Sequence, residues 1–437
     1  MCKTVVLSIL LVASFIAASA QAQAGCTNPV TDGVATSATT LLGWGVNWNA
    51  QLGEQRGSAD VERTPLPLRV SSNAAPRYNK VSGGLTHTAV FETQDGRVFA
   101  AGDGSVGQLG GGPSSVGRVG TFNTIGQVLD NGQPASVLTR RASDVAAGWY
   151  HTCLLVEGPV NPQRRQIYCS GRNNRGQLGT SNITTSISLP TPIDTTRIGS
   201  ATNIASIVSG PDHMVAVTTD GSLWTWGAGT KGELGNGGTT DSNVPVQILL
   251  REAVAQVRCG FRFCLARTTR NDLYGWGLND RNQMGGATRD AIVTRPVLIT
   301  SGVTLFAAGG SHAMAVIGGL LHSWGSGTMG QTAQARTISA ARIEDWDVAV
   351  PTPISQFAGV NIQSIACGMK HSVVLDTCGN VYTFGSDALG QLGVGLTIGQ
   401  NQNYRSMSPA LVGNIGKRSL TGLRVFAGAF NSYYLGQ

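Results

Sequence analysis

Ile207 to Gly227 read IVSGPDHMVAVTTDGSLWTWG, three short apolar runs separated by two turn signals. The first run, Ile207-Val208-Ser209, ends at Gly210, and Pro211-Asp212 sets a tight turn. His213 to Thr218 forms the second run, and Asp220-Gly221 is a hairpin signal. A third run, Ser222 to Trp226, ends at the Gly227 loop. Their alternation and their β-branched and aromatic residues predict half-buried strands. A three- or four-stranded sheet of this kind exposes two apolar faces, so it must stack on other sheets.

Working outward, the same unit recurs along the chain. Glycine followed three residues later by His occurs at Gly84/His87, Gly148/His151, Gly210/His213, Gly309/His312 and Gly368/His371. Gly260/Phe263 and Gly428/Asn431 keep the glycine and change the partner. Successive glycines lie 64, 62, 50, 49, 59 and 60 residues apart. A second landmark, aromatic-Gly followed by Gln-Leu-Gly, appears at Trp44-Gly45 with Gln51-Leu52-Gly53 and at Trp226-Gly227 with Glu233-Leu234-Gly235. Variants follow at Ala101-Gly102, Ser170-Gly171, Trp276-Gly277, Trp324-Gly325 and Phe384-Gly385. Seven copies of two landmarks in one order predict an all-β, seven-bladed β-propeller. The repeat array begins mid-unit at Trp44-Gly45 and ends with Gly428 and Asn431-Ser-Tyr-Tyr-Leu435, lacking a following aromatic-Gly. The two half-repeats are therefore expected to pair and close the ring.

Composition agrees. The 59 glycines among 437 residues show no every-third-residue period, which excludes collagen and favours many tight turns. Charged residues are only 13 %, about half the usual share. The net charge of +7 comes without a Lys/Arg run, so nucleic acid is a disfavoured partner.

Met1 to Ala24 carries Lys3, an apolar run from Val5 to Ala18 and small-x-small steps at Ala20-Gln21-Ala22 and Ala22-Gln23-Ala24. This reads as a cleaved secretory signal (1–24) ahead of one propeller domain (25–437), with a secreted or periplasmic location. A lipid anchor at Cys26 is disfavoured because Gln23 stands where an apolar residue is needed. No later segment is apolar enough to span a bilayer. The protein is expected to be a monomer.

Cys153 and Cys169 are balanced around Asn161, and Cys259 and Cys264 flank the Phe261-Arg262 turn, so each pair can form a disulfide across a hairpin. Cys367 and Cys378 sit at opposite ends of a strand, too far apart to bond. That makes Cys367 a buried free thiol and leaves Cys26 as the candidate partner of Cys378. There is no CxxC or zinc-spaced His/Cys cluster, so no metal site is expected.

Segments such as Val145-Ala-Ala-Gly-Trp-Tyr-His-Thr152, Asp220-Gly-Ser-Leu-Trp-Thr-Trp-Gly227 and Gly390-Gln-Leu-Gly393 resemble the regulator of chromosome condensation repeat. The resemblance covers nearly all of the chain after the leader. Together with the leader it implies a secreted, bacterial member of that family, and it implies the seven-bladed fold. Relatives implied by it include a bacterial inhibitor of β-lactamases that covers an enzyme with its propeller face. The namesake members exchange guanine nucleotide on a small GTPase through a wedge after one blade's third strand. Here the loops after Trp226 and Trp276 are short.

No catalytic triad, carboxylate pair or phosphate loop is legible, and no cofactor is expected. Gly104 to Gly110 superficially resembles a nucleotide loop, but it recurs as repeat chemistry with no βαβ unit behind it. The periodic His residues read as turn-pinning groups, and Trp44, Trp226, Trp276 and Trp324 as inter-blade packing. In an up-and-down blade the Gly-x-x-His turns and aromatic-Gly loops share one face. That face presents Trp48, Trp149, Tyr150, Arg172, Arg175, Phe261, Arg262, Met369, Lys370 and Phe430, residue types that dominate binding hot spots. The expected function is an exported, non-enzymatic protein-binding scaffold using this face. Guanine-nucleotide exchange on a small GTPase is the alternative, and an extracellular glycan-binding propeller a weaker one.

Overall fold

The computed structural model describes residues between Thr40 and Gly436, with breaks of which the longest are 54–60, 335–345 and 396–404. The expected leader, Cys26 and much of the longer inter-strand insertions lie outside the described residues.

Seven four-stranded antiparallel sheets make the ring. Blade 3 shows the pattern: strands Ile204–Ser209, His213–Thr218, Leu223–Gly227 and Ser242–Ile248 run from the central axis outward in sequence order. Blades 1, 2, 4, 5 and 6 repeat it over 78–124, 142–192, 254–300, 303–353 and 362–411. The second strand is buried along its whole length in blades 1, 3 and 6, because it is covered on both faces by neighbouring blades. Outer strands carry a proline in several blades (Pro65, Pro190, Pro245, Pro296, Pro351, Pro409), which blunts an edge that would otherwise pair with another chain. At each aromatic-Gly step the pairing to the outer strand shifts register, as between Thr225 and Gly227. Gly227 sits at φ +99° there, and a Cβ would collide with the Asp212 carbonyl. One further hairpin, Gln127–Asp130 with Gln133–Ser136, lies outside the blades.

The seventh blade comes from both ends. Its strand order is Val61–Pro67, Thr40–Val46, Asn431–Gly436, Arg424–Ala427, the outer pair N-terminal and the inner pair C-terminal. Six register pairs from Thr40↔Gly436 to Gly45↔Asn431 join them. Seven hydrophobic clusters then fill the seven inter-blade interfaces. One of them, with Leu41, Leu52, Tyr433, Val81 and Phe99, seals blade 7 against blade 1.

Six of the seven interfaces are also pinned by a buried hydrogen bond to a loop carbonyl, which the sequence supplies in two ways, and between blades 7 and 1 the Thr88 hydroxyl instead lies 2.7 Å from that of Tyr433. The Gln (or Glu) carbonyl of a Gln-Leu-Gly loop is reached by the indole N–H of the next blade's Trp. Trp226 donates to Gln177 (3.0 Å), Trp276 to Glu233 (2.8 Å), Trp324 to Gln283 (2.8 Å) and Trp44 to Gln391 (2.9 Å). Where the tryptophan is replaced by Ser170 or Phe384, a hydroxyl four residues after the blade's glycine takes over. Thr152 donates to the Gln108 carbonyl (2.7 Å) and Ser372 to that of Gln331 (2.8 Å). The carbonyls are buried, so each needs a donor.

The periodic histidines join the same network. His87 Nε2 lies 2.8 Å from Thr152 Oγ1, His312 Nε2 2.9 Å from Ser372 Oγ and His371 Nε2 2.9 Å from Ser432 Oγ. Each hydroxyl proton is committed to a carbonyl, so Nε2–H is the donor and Nδ1 holds a lone pair with no partner. Phe263 breaks the histidine pattern in blade 4, and there blade 5 carries Ala313 in place of the hydroxyl. Every ring covers its own glycine. A Cβ on Gly148 would overlap the His151 ring, which explains why the two residue types travel together.

Disulfides join Cys153 to Cys169 and Cys259 to Cys264, as the hairpin spacing predicts. Cys378 is disulfide-bonded, and its candidate partner Cys26 lies outside the described residues. Cys367 is free and partly buried at the wall of the central channel, where burial pushes its thiol up to about 12. No helix among the described residues is long and apolar enough to cross a membrane.

Candidate functional site

The turns after the seven glycines and the aromatic-Gly loops do share a face. The residue after each aromatic-Gly donates to a carbonyl of the Gly-x-x-His turn, as Arg172 to Tyr150 (2.7 Å), Ala228 to Asp212 (2.8 Å) and Leu278 to Arg262 (2.8 Å). The turns are linked around the axis as well. Trp149 N–H bonds Pro211 (3.0 Å), Phe261 N–H bonds Gly309 (3.1 Å), Gly310 N–H bonds Gly368 (3.0 Å) and Met369 N–H bonds Ala429 (3.0 Å). This collar rims one mouth of the central channel.

Six of the ten predicted residues come together on blades 2 to 4. Trp149 and Phe261 reach over Pro211 and stack with centroids 4.9 Å apart and planes 27° from parallel. Arg262 lies over the outer part of this stack, 5.2 Å from the Phe261 centroid, and Arg172 lies 4.0 Å over Tyr150. All are partly exposed. Arg175 departs from the expectation of a free contact. It is a staple between blades 2 and 3, with Nε 2.6 Å from Asp241 Oδ2 and Nη2 3.1 Å from Thr230 Oγ1. Among the described residues no ion pair holds Arg172 or Arg262.

Sequence reading missed Asp212, the second residue of the Gly210 turn, at the centre of the patch. Burial pushes its carboxyl above the usual range, although Arg172, Arg175 and Arg262 all pull it down. A proline-aspartate turn reads as turn chemistry, so nothing in the linear pattern marks it. Phe430 and Trp48 belong to blade 7, and Met369 and Lys370 to blade 6. They lie on the same face in another sector, Trp48 being 49 % exposed.

The patch can stack planar groups and bind anionic ones, but it offers no nucleophile–base pair. The five periodic histidines are spread over five blades and held neutral, burial lowering them to about 3 or 4. His213 with Cys259 and Cys264 forms a compact ligand-like group, but both sulfurs are spent in the disulfide and offer no thiolate.

Ring, repeat and face together define a propeller of the chromosome-condensation-regulator type. The chain belongs to the RCC1-like domain family, whose model matches residues 18–315, and a regulator of chromosome condensation (RCC1) repeat matches 318–375. It is 28 % identical to the ultraviolet-B receptor UVR8 of Arabidopsis thaliana over 84 % of this chain and 77 % of that protein. It is also 28 % identical to the human E3 ubiquitin-protein ligase HERC2, over 84 % of this chain but 7 % of that far longer protein. Among solved structures, human WBSCR16 superposes with a TM-score of 0.73 at 20 % identity, over 92 % of this chain and 99 % of that one. Prp20p of Saccharomyces cerevisiae, reported with its binding to Gsp1p and histones, gives 0.73 at 22 % identity over 91 % of both chains. At these identities the structural likeness shows the fold alone. These relatives are plant, human and yeast proteins and carry nothing on the bacterial origin expected from the sequence.

Proposed function

We propose that this protein is an exported, non-enzymatic scaffold that binds a protein partner through the blade 2–4 patch. The observation that carries the reading is the Trp149–Phe261 stack flanked by Arg172 and Arg262, which no ion pair among the described residues neutralises. Rigid aromatics with guanidinium neighbours make the usual energetic centre of an interface. A partner that fits them carries carboxylates beside an apolar or planar side chain. Export rests on the leader-like residues 1–24 and is supported by disulfides, which persist in oxidising compartments.

The test is affinity capture with the full-length mature protein, comparing wild type with Trp149→Ala and Arg262→Ala. Loss of the captured partner on substitution, with thermal stability within a few degrees of wild type, supports the patch. An unchanged partner profile in both variants would overturn it. A second reading, guanine-nucleotide exchange on a small GTPase, is favoured by the structural likeness to Prp20p, reported with its binding to Gsp1p. Accelerated nucleotide release from a GTPase panel would establish that reading in place of the first.

A further inference from the structure

The channel down the ring axis carries a feature that neither the fold nor the partner face requires. It encloses about 980 Å³ lined by the inner strands of all seven blades, a volume suited to a small-molecule ligand. Propeller inner strands need only small or apolar residues where they converge. Here the wall carries four cations, Lys80, Arg258 and Arg424 on inner strands and Arg267 on the second strand of blade 4, against a single carboxylate among the described residues, Asp144.

That carboxylate is already saturated. Asp144 accepts from Lys80 Nζ (2.7 Å) and from the backbone N–H groups of Val145 (2.9 Å) and Ile207 (3.0 Å). It neutralises Lys80 and ties blade 2 to blades 1 and 3. The three guanidiniums remain. Arg424 Nη1 bonds only the Asn79 side chain (2.7 Å) and carbonyl (3.3 Å), and Arg258 Nη1 only the neighbouring Val257 carbonyl (2.9 Å). Arg267 Nη1 bonds Asn271, while its Nε is buried without a partner. Among the described residues no carboxylate forms an ion pair with any of the three.

These cations act on one another. Arg258 is exposed on the channel wall, and the desolvation it meets there, with the charges of Arg267 and Arg424, disfavours its charged form against the pull of Asp144. Like charges gathered around one channel without counter-charge repel one another and draw in anions. Such an arrangement is expected where a ligand supplies the missing charge. Free guanidinium forks match phosphate and carboxylate oxygens in pairs. Ser206, Gln256 and Ser364 line the same wall and offer neutral donors.

We propose that the central channel is a binding site for a small multivalent oxyanion, with Arg258, Arg267 and Arg424 as its ligating cations. Polyphosphate and polycarboxylate share the required chemistry. Trp149 and Phe261 line the collar end of the same channel, whereas Arg267 and Arg424 stand toward the other end of their strands, so substitutions at Arg424 and at Trp149 distinguish the two sites.

Isothermal titration of the full-length mature protein with inorganic pyrophosphate and, separately, with citrate tests the proposal at constant ionic strength. Saturable one-to-one binding of either probe is expected, and the tighter one identifies the oxyanion class. Arg424→Gln and Arg258→Gln should each weaken binding about tenfold or more, while Trp149→Ala leaves it unchanged. Arg258 and Arg424 are both exposed, so both variants are expected to fold, and a thermal midpoint near wild type checks that. No saturable binding of either probe, or binding that the Arg424 variant retains in full, would overturn the proposal.

Discussion

Replacing Trp324 by Phe, and then rescuing it with a single hydroxyl, probes the physical logic of the whole ring. Trp324 is fully buried, and its indole N–H donates to the Gln283 carbonyl at 2.8 Å. Trp324→Phe removes that donor and part of the packing against blade 4. A buried carbonyl left unpaired costs about 1–3 kcal/mol, and the lost indole volume adds about 1 kcal/mol. Blade 6 shows how a phenylalanine is accommodated at this place. Phe384 there coexists with Ser372, whose hydroxyl donates to the Gln331 carbonyl at 2.8 Å. The residue equivalent to Ser372 in blade 5 is Ala313, which is also fully buried. Ala313→Ser in the wild-type background adds a second donor to a carbonyl that already has one, as Ser432 does beside Trp44 at the Gln391 carbonyl, and is expected to change stability by less than about 1 kcal/mol. In the Trp324→Phe background the same hydroxyl meets the vacated Gln283 carbonyl. The double variant is therefore expected to be more stable than the sum of the two single effects by about 1–3 kcal/mol. Guanidinium denaturation followed by circular dichroism on the four proteins reads this coupling directly. Additivity within about 0.5 kcal/mol would refute the idea that indole and hydroxyl are interchangeable donors.

Acid should weaken the protein over a defined window. The native histidines titrate at about 3 or 4, whereas in the unfolded chain they titrate near 6.5. The unfolded state thus takes up protons first, and stability is full above about pH 6.5 and lost progressively toward pH 4, by about 1.4 kcal/mol per histidine per pH unit. His312→Phe should flatten the slope of denaturation midpoint against pH by one proton's worth; an unchanged slope counts against the buried-neutral assignment. Gly148→Ala has no room beside the His151 ring and should cost about 1–3 kcal/mol, with recovery when His151→Ala is added. Asp144→Ala removes the acceptor shared by Lys80, Val145 and Ile207 and should cost about 3 kcal/mol or more, measurable as a lowered thermal midpoint.

The fold was legible because it is written seven times. A single Gly-x-x-His is weak, but the ring over Gly148 and its copies force the two residue types to recur together at blade spacing. Blade closure was legible too, since the half-units at Trp44 and at Asn431 each lack what the other supplies. The disulfides followed from residues placed symmetrically about hairpin turns. Which turns and loops share a face could also be read from the turn positions, because strand direction alone decides it.

What linear reading could not supply depends on distances between blades. Trp149 and Phe261 are 112 positions apart, and only the ring geometry brings them into a stack over Pro211. Arg175 looks like a free hot-spot residue until Asp241, on the neighbouring blade, takes it. Asp212 hides inside an ordinary turn. Lys80, Asp144, Arg258 and Arg424 each interrupt an inner strand singly, and nothing in the order of residues says that these strands meet around one axis with one carboxylate among four cations. Local chain chemistry determined the strands, the turns and the number of blades. Which charges find a partner, and which are left facing the channel, was decided by closure of the ring, because electrostatic interaction depends on separation in space and not along the chain.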